Sequence, residues 1–196
     1  MYVIGITGGS GAGKTSALNA LRSLGAQLLD CDEIYHDLLL RNNDMKAEIE
    51  ERFSNVSVNG QIDRRKLGEI VFNDAASLHD LNGITHKYMN SEIDRRIHAF
   101  KEQRIKLAAI EAIALIESGQ SNKCDIVVGI TAPQDKRISR IISRDDISEE
   151  LALMRNNAQQ PERFYYNNCD YVLENKYGTQ NEFEDKCKEF FRGLNI

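Results

Sequence analysis

Apolar residues follow two rhythms along this chain. Short, nearly unbroken apolar runs occur at residues 2–7, 27–29, 107–110, 126–130 and 171–173, a length and composition that predict buried strands. Between them the spacing lengthens to three and four. Ala17, Leu18, Leu21 and Leu24 form one stripe, running from Lys14 and stopping before Gly25, which suits the end of a helix. Met45, Ile49 and Phe53 repeat every fourth residue, and the helical spacing continues through Leu67, Ile70 and Val71 and then Leu78, Leu81 and Ile84. Phe183, Cys187, Phe190 and Leu194 mark a last helix, with Asn181 and Glu184 placed as a capping box.

A strand, a helix and a second strand within the first 32 residues make a βαβ unit, which predicts an α/β fold around a parallel sheet. The strands are expected at 2–7, 27–32, 107–111, 125–131 and 170–175. About 70 residues separate the second from the third, far more than a connecting loop needs, so 33–105 reads as a helical insertion with a task of its own. Inside it Asn59-Gly60 is a turn, and Asp63 is placed to cap a helix starting at Arg64.

Between the first strand and the first helix lies Gly8-Gly9-Ser10-Gly11-Ala12-Gly13-Lys14-Thr15, a full match to G-x-x-x-x-G-K-[ST]. Glycines let the backbone curl until successive N–H groups point at one anion, and the helix that follows presents its positive end to the same point. Lys14 reaches the outer phosphates and Thr15 offers a hydroxyl to Mg²⁺. The nucleotide-binding set is therefore Gly11, Ala12, Gly13, Lys14, Thr15 and Ser16, with Thr15 as the metal ligand.

Acids close the second and third strands. Asp32 is the candidate general base for a hydroxyl that attacks a phosphoryl group; alternatively Asp30, Asp32 or Glu33 caps the helix beginning near Glu33. Glu111 ends a Walker-B-type strand, within indirect reach of Mg²⁺. Arg137, Arg140 and Arg144 share a helical face in the segment 136–160, where they either cover the transferring phosphate as a lid or pair with Asp145, Asp146, Glu149 and Glu150. Asp63-Arg64-Arg65-Lys66 reads as an anion grip or as a solvated charged face, and His86 as a substrate contact or a structural histidine. His36, His79 and His98 have no metal-ligand spacing.

With 196 residues, 41% of them apolar, the chain suits one globular domain. A net charge of −5 argues against a broad nucleic-acid footprint. The four cysteines contain no C-x-x-C pair, which fits a reducing compartment and no disulfide framework. No run reaches the length of a membrane span and no leader pattern is visible, so a cytoplasmic protein without a membrane partner is expected.

Taken in order, 4–15, 29–34, 62–72 (with the particular spacing I-D-R-x-x-L-x-x-x-V-F), 81–86, 140–145 and 170–175 resemble the dephospho-CoA kinase family nearly end to end. The resemblance implies a three-layer P-loop fold with a five-stranded parallel sheet, a helical acceptor-binding insertion and a helical lid. It implies ATP and Mg²⁺ as cofactors and dephospho-CoA as small-molecule substrate, phosphorylated on its ribose 3′-hydroxyl. Asp32 matches the family's catalytic acid, Lys14, Arg140 and Arg144 its phosphate-handling residues, and Asn175 a position near the adenine; Asp63, Arg64 and His86 fall in the acceptor region. His36 stands where the family has arginine, Lys87 where it has proline, and Ile113 opens a segment where the family reads proline-leucine-leucine-phenylalanine-glutamate. Those departures keep two alternatives open, a kinase of another nucleoside or nucleotide and a nucleotide-binding homologue without catalysis.

Overall fold

The computed structural model describes residues 1–71 and 73–194; Phe72, the last residue of the I-D-R spacing, lies outside them. In chain order the elements are β1 (Tyr2–Gly8), α1 (Lys14–Ser23), β2 (Gln27–Asp30), α2 (Cys31–Arg41), α3 (Asn43–Arg52), β3 (Ser57–Val58), β4 (Gln61–Ile62), α4 (Arg64–Val71) and α5 (Ala75–Glu102). They continue with β5 (Leu107–Glu111), a 3₁₀ turn at Gln120–Lys123, β6 (Ile126–Thr131), α6 (Gln134–Asp145), α7 (Glu149–Asn157), α8 (Glu162–Asn168), β7 (Tyr171–Glu174) and α9 (Gln180–Gly193). The chain divides into two compact units, one made of Met1–Leu29 with Phe100–Ile196, the other of Asp30–Ala99.

The first unit is built on a sheet of strand order β2-β5-β1-β6-β7, with β1 central and parallel to both neighbours. Period-two alternation decides what each face carries. Ile4 and Ile6 of β1 and Val128 and Ile130 of β6 point to one side, where Ala17, Ala20 and Leu21 of α1 and Phe183, Cys187 and Phe191 of α9 close over them. The other side carries Gly5 and Gly129, whose missing side chains leave room for Leu115 and Cys124 and for Tyr165 and Cys169. The result is helix, sheet, helix. Each carboxyl-terminal strand end on β1 and β6 therefore opens at the same edge, which is where the glycine loop emerges.

Several boundaries differ from those the spacing suggests. Helix α2 starts at Cys31 because the Asp30 carboxylate accepts from the N–H groups of Asp32 and Glu33, at 2.9 and 3.1 Å. The last helix starts at Gln180, and its capping box is Thr179 with Glu182, not Asn181 with Glu184. Phe191, not Phe190, continues the buried stripe of Phe183 and Cys187, since a four-residue step keeps that face toward the sheet.

The second unit is mostly helical but holds one hairpin, β3-β4, whose two-residue turn is Asn59-Gly60 with both φ angles positive, at 52° and 73°. Asp63 caps α4 through the N–H groups of Arg65 and Lys66. Among the described residues no helix is long and apolar enough to cross a membrane.

Candidate functional site

The loop from Gly8 to Gly13 is organised by what happens to its carbonyls. Lys14 Nζ donates to Gly8 O at 3.0 Å, Ala12 N to Gly9 O at 3.2 Å and Ser16 N to Gly13 O at 3.0 Å. The remaining three are taken by side chains from far along the chain: Arg137 Nε donates to Ser10 O at 3.1 Å, Arg140 Nη1 to Gly11 O at 3.0 Å and Asn175 Nδ2 to Ala12 O at 2.9 Å. With every carbonyl from Gly8 to Gly13 bonded within the protein, the loop is held in the curled form that turns its N–H groups toward an anion. Gly13 stands at the N-cap of α1 with φ of 109°, and no side chain caps the helix there. A Cβ at Gly13 would run into Asn175 Nδ2, so glycine is required both for the dihedral and for the prop behind it. The first turn of α1 carries no acid, which leaves its positive end unopposed.

The Lys14 ammonium lies 3.5 Å from Glu111 Oε1, a buried carboxylate at the end of β5. Thr15 is exposed beside it, and Ser16 is buried beneath the loop. Among the described residues no group of three or more His, Cys, Asp or Glu side chains is arranged to hold a metal alone. The hydroxyl and the single acid suit Mg²⁺, which takes few protein ligands and completes its shell with phosphate oxygens and water.

The arginine face separates into two parts. Arg137 and Arg140 turn inward onto the loop, and burial pushes both pKa values down. Arg140 Nη2 also reaches Asn175 Oδ1 and the Tyr177 carbonyl, each at 3.4 Å. Arg144 instead makes a two-pronged pair with Asp145, at 2.7 and 3.0 Å, and Arg155 joins the same carboxylate at 2.8 Å. Asn175 itself is buried under the loop. Gln159, which sequence reasoning missed, accepts from Ser10 N at 2.8 Å and from Arg137 Nη2 at 2.7 Å while its amide donates to Ser10 Oγ at 2.9 Å. Nothing in the polar run around it sets it apart in the sequence.

In the second unit Asp30 is spent on the cap, whereas the Asp32 carboxylate is exposed and has no hydrogen-bond or ion-pair partner among the described residues. Asp63 is a cap, Arg64 is exposed with its charge acting on the Tyr35 hydroxyl, and His86 is half-buried with its pKa pushed down by burial. Lys87 joins Glu48 at 2.5 Å, and Tyr88 donates to the same carboxylate at 2.7 Å, so this departure ties α5 to α3. His36 is exposed on α2. Ile113, in the first unit, is half exposed and its carbonyl accepts from Thr7 Oγ1.

The sequence model of one family, CoaE, Dephospho-CoA kinase, matches residues 2–181. A dephospho-CoA kinase from Dehalococcoides mccartyi is 36% identical over 181 residues, covering 87% of this chain and 91% of its own. Among solved structures, TT1252 from Thermus thermophilus superposes with a TM-score of 0.78 at 30% identity, covering 99% of this chain and 96% of its own. Dephospho-CoA kinase from Campylobacter jejuni gives 0.69 at 25% identity, over 98% and 96%. A glycine loop with all its carbonyls engaged, on a sheet of this strand order, is thus matched by likeness along almost the whole sequence: the chain belongs to the dephospho-CoA kinase family.

Proposed function

We propose that this kinase transfers the γ-phosphoryl group of ATP to the ribose 3′-hydroxyl of dephospho-CoA, giving coenzyme A and ADP. The observation that carries the reading is the loop from Gly8 to Gly13, whose carbonyls are all bonded within the protein and whose N–H groups and following helix end suit a polyphosphate. Lys14 binds the outer phosphates. Thr15, with Glu111 behind Lys14, would hold Mg²⁺, which supplies charge neutralisation for the phosphates when bound.

Asp32 takes the proton of the 3′-hydroxyl as the new O–P bond forms and the bond from the γ-phosphorus to the bridging oxygen breaks, leaving the electron pair on ADP. Its availability follows from Asp30 doing the capping. The unit Asp30–Ala99 would bind the acceptor, with Asp63, Arg64 and His86 in that role. The segment 136–160 would act as lid: Arg140 already meets the loop, and Arg144 would exchange Asp145 for the transferring group as the lid closes.

Product formation from ATP, Mg²⁺ and dephospho-CoA, read by chromatography and mass, tests the reading. Wild type is expected to yield 3′-phosphorylated product, and Asp32→Asn to lower kcat by roughly 10²–10⁴-fold with ATP affinity nearly unchanged. ATP binding with no coenzyme A formed would overturn it.

A further inference from the structure

Three contacts converge on Ser10, and none belongs to the G-x-x-x-x-G-K-[ST] pattern. Gln159 Oε1 accepts the Ser10 N–H at 2.8 Å, Gln159 Nε2 donates to Ser10 Oγ at 2.9 Å, and Arg137 donates to Ser10 O at 3.1 Å. Arg137 Nη2 then closes the set by donating to Gln159 Oε1 at 2.7 Å. Backbone N–H, backbone C=O and side-chain hydroxyl of one residue are therefore all held by two side chains. We propose that Gln159, working with Arg137, is a positioning residue for the nucleotide: it fixes the leading half of the phosphate loop and links it to the segment that follows α7.

Ser10 sits at the middle of a stretch rich in glycine, where the chain is free to take many backbone conformations. Lys14 and Ser16 secure the loop's ends by local bonds, and the Ala12 N–H closes a turn on Gly9 O whose central peptide, Ser10–Gly11, can still turn over. If the Ser10–Gly11 peptide turned over, the Ser10 carbonyl, now held by Arg137, would face the phosphates in place of the Gly11 N–H. The clamp prevents that. A primary amide suits the task because it accepts from an N–H and donates to a hydroxyl at the same time. The clamp borders a cavity of about 320 Å³ shared by Gly9, Ala12, Thr131, Asn156 and Tyr165. Thr131 Oγ1 and Asn156 Oδ1, both buried there, have no protein partner among the described residues.

This proposal rests on the nucleotide reading of the loop and is tested apart from turnover. Binding of a fluorescent ATP analogue to the full chain, without acceptor, is compared for wild type, Gln159→Leu, Ser10→Ala and the double variant, alongside thermal unfolding midpoints and the KM values for ATP and dephospho-CoA. Gln159→Leu is expected to weaken ATP binding by about tenfold, the effect of roughly one half-buried hydrogen-bond set whose stranded groups can still meet water. KM for dephospho-CoA and the unfolding midpoint should stay close to wild type, and the double variant should lose less than the product of the single losses. Unchanged ATP binding in Gln159→Leu would overturn the clamp, as would strictly multiplicative losses or equal losses in both KM values with a lowered midpoint. If wild type binds ATP but makes no coenzyme A, the acceptor assignment falls while the binding comparison still decides the clamp.

Discussion

Asn175 shows how a residue named for one role can serve another. The resemblance suggests a place near adenine; the structure puts its side chain under Ala12, sharing its oxygen with Arg140. Asn175→Ala should therefore strand a loop carbonyl, costing about 1–3 kcal/mol of stability and weakening ATP binding, which calorimetry and titration would register together. The sequence announces the loop itself, because Gly8 to Thr15 are contiguous and their chemistry is local. Gln159 and Asn175 act across 149 and 163 residues, and no periodicity reports such a pairing. Glu92 is a second residue whose partners decide its behaviour. Hydrogen bonds from Arg95 outweigh its partial burial and, with Arg96 and the charges of both, hold its pKa down to about 2 against 4.5 ordinarily. A lowered carboxylate pKa stabilises the fold above 4.5 and loses that contribution as pH falls through about 2. Arg95 is well exposed, so Glu92→Gln should cost about 1 kcal/mol or less at neutral pH, and the gap should shrink in acid denaturation curves.

At the scale of elements, carboxylates secure the start of the sheet twice in the same way. Asp125 N donates to Val3 O while Val3 N donates back to Asp125 Oδ2; Asp170 and Val127 repeat the exchange one strand further out. Both acids precede their strands by a residue, which fixes parallel register where the ladder begins. Asp125→Ala should leave the buried Val3 N–H unpaired and lower stability by about 1–3 kcal/mol in urea unfolding. The five strands of the parallel sheet were legible as apolar runs and Asn59-Gly60 as a turn, but the two-residue strands β3 and β4 on either side of it were too short to show any pattern. The helix starts were less legible, since Thr179 competes with Asn181 for the cap and only the reciprocal Thr179–Glu182 bonds settle the choice.

Across the molecule the thiols are withdrawn from chemistry. Burial pushes Cys124 and Cys187 up to about 12 and Cys169 to about 11, and Cys31 is buried too. At pH 8 iodoacetamide should label Cys124, Cys169 and Cys187 slowly in the native protein and promptly in denaturant, as mass spectrometry would show.

The three remote side chains that hold the phosphate loop's carbonyls also set an order on synthesis. A ribosome that has made the first hundred residues has made the entire signature, Gly8 to Thr15, yet Arg137, Arg140 and Asn175 do not exist. The nascent chain carries the motif for most of its time in the tunnel and at its exit without the means to hold it curled. Full affinity for nucleotide is expected only after the last strand has emerged and Asn175 is seated, so the cradle should be completed as one of the final events of folding and not as its first.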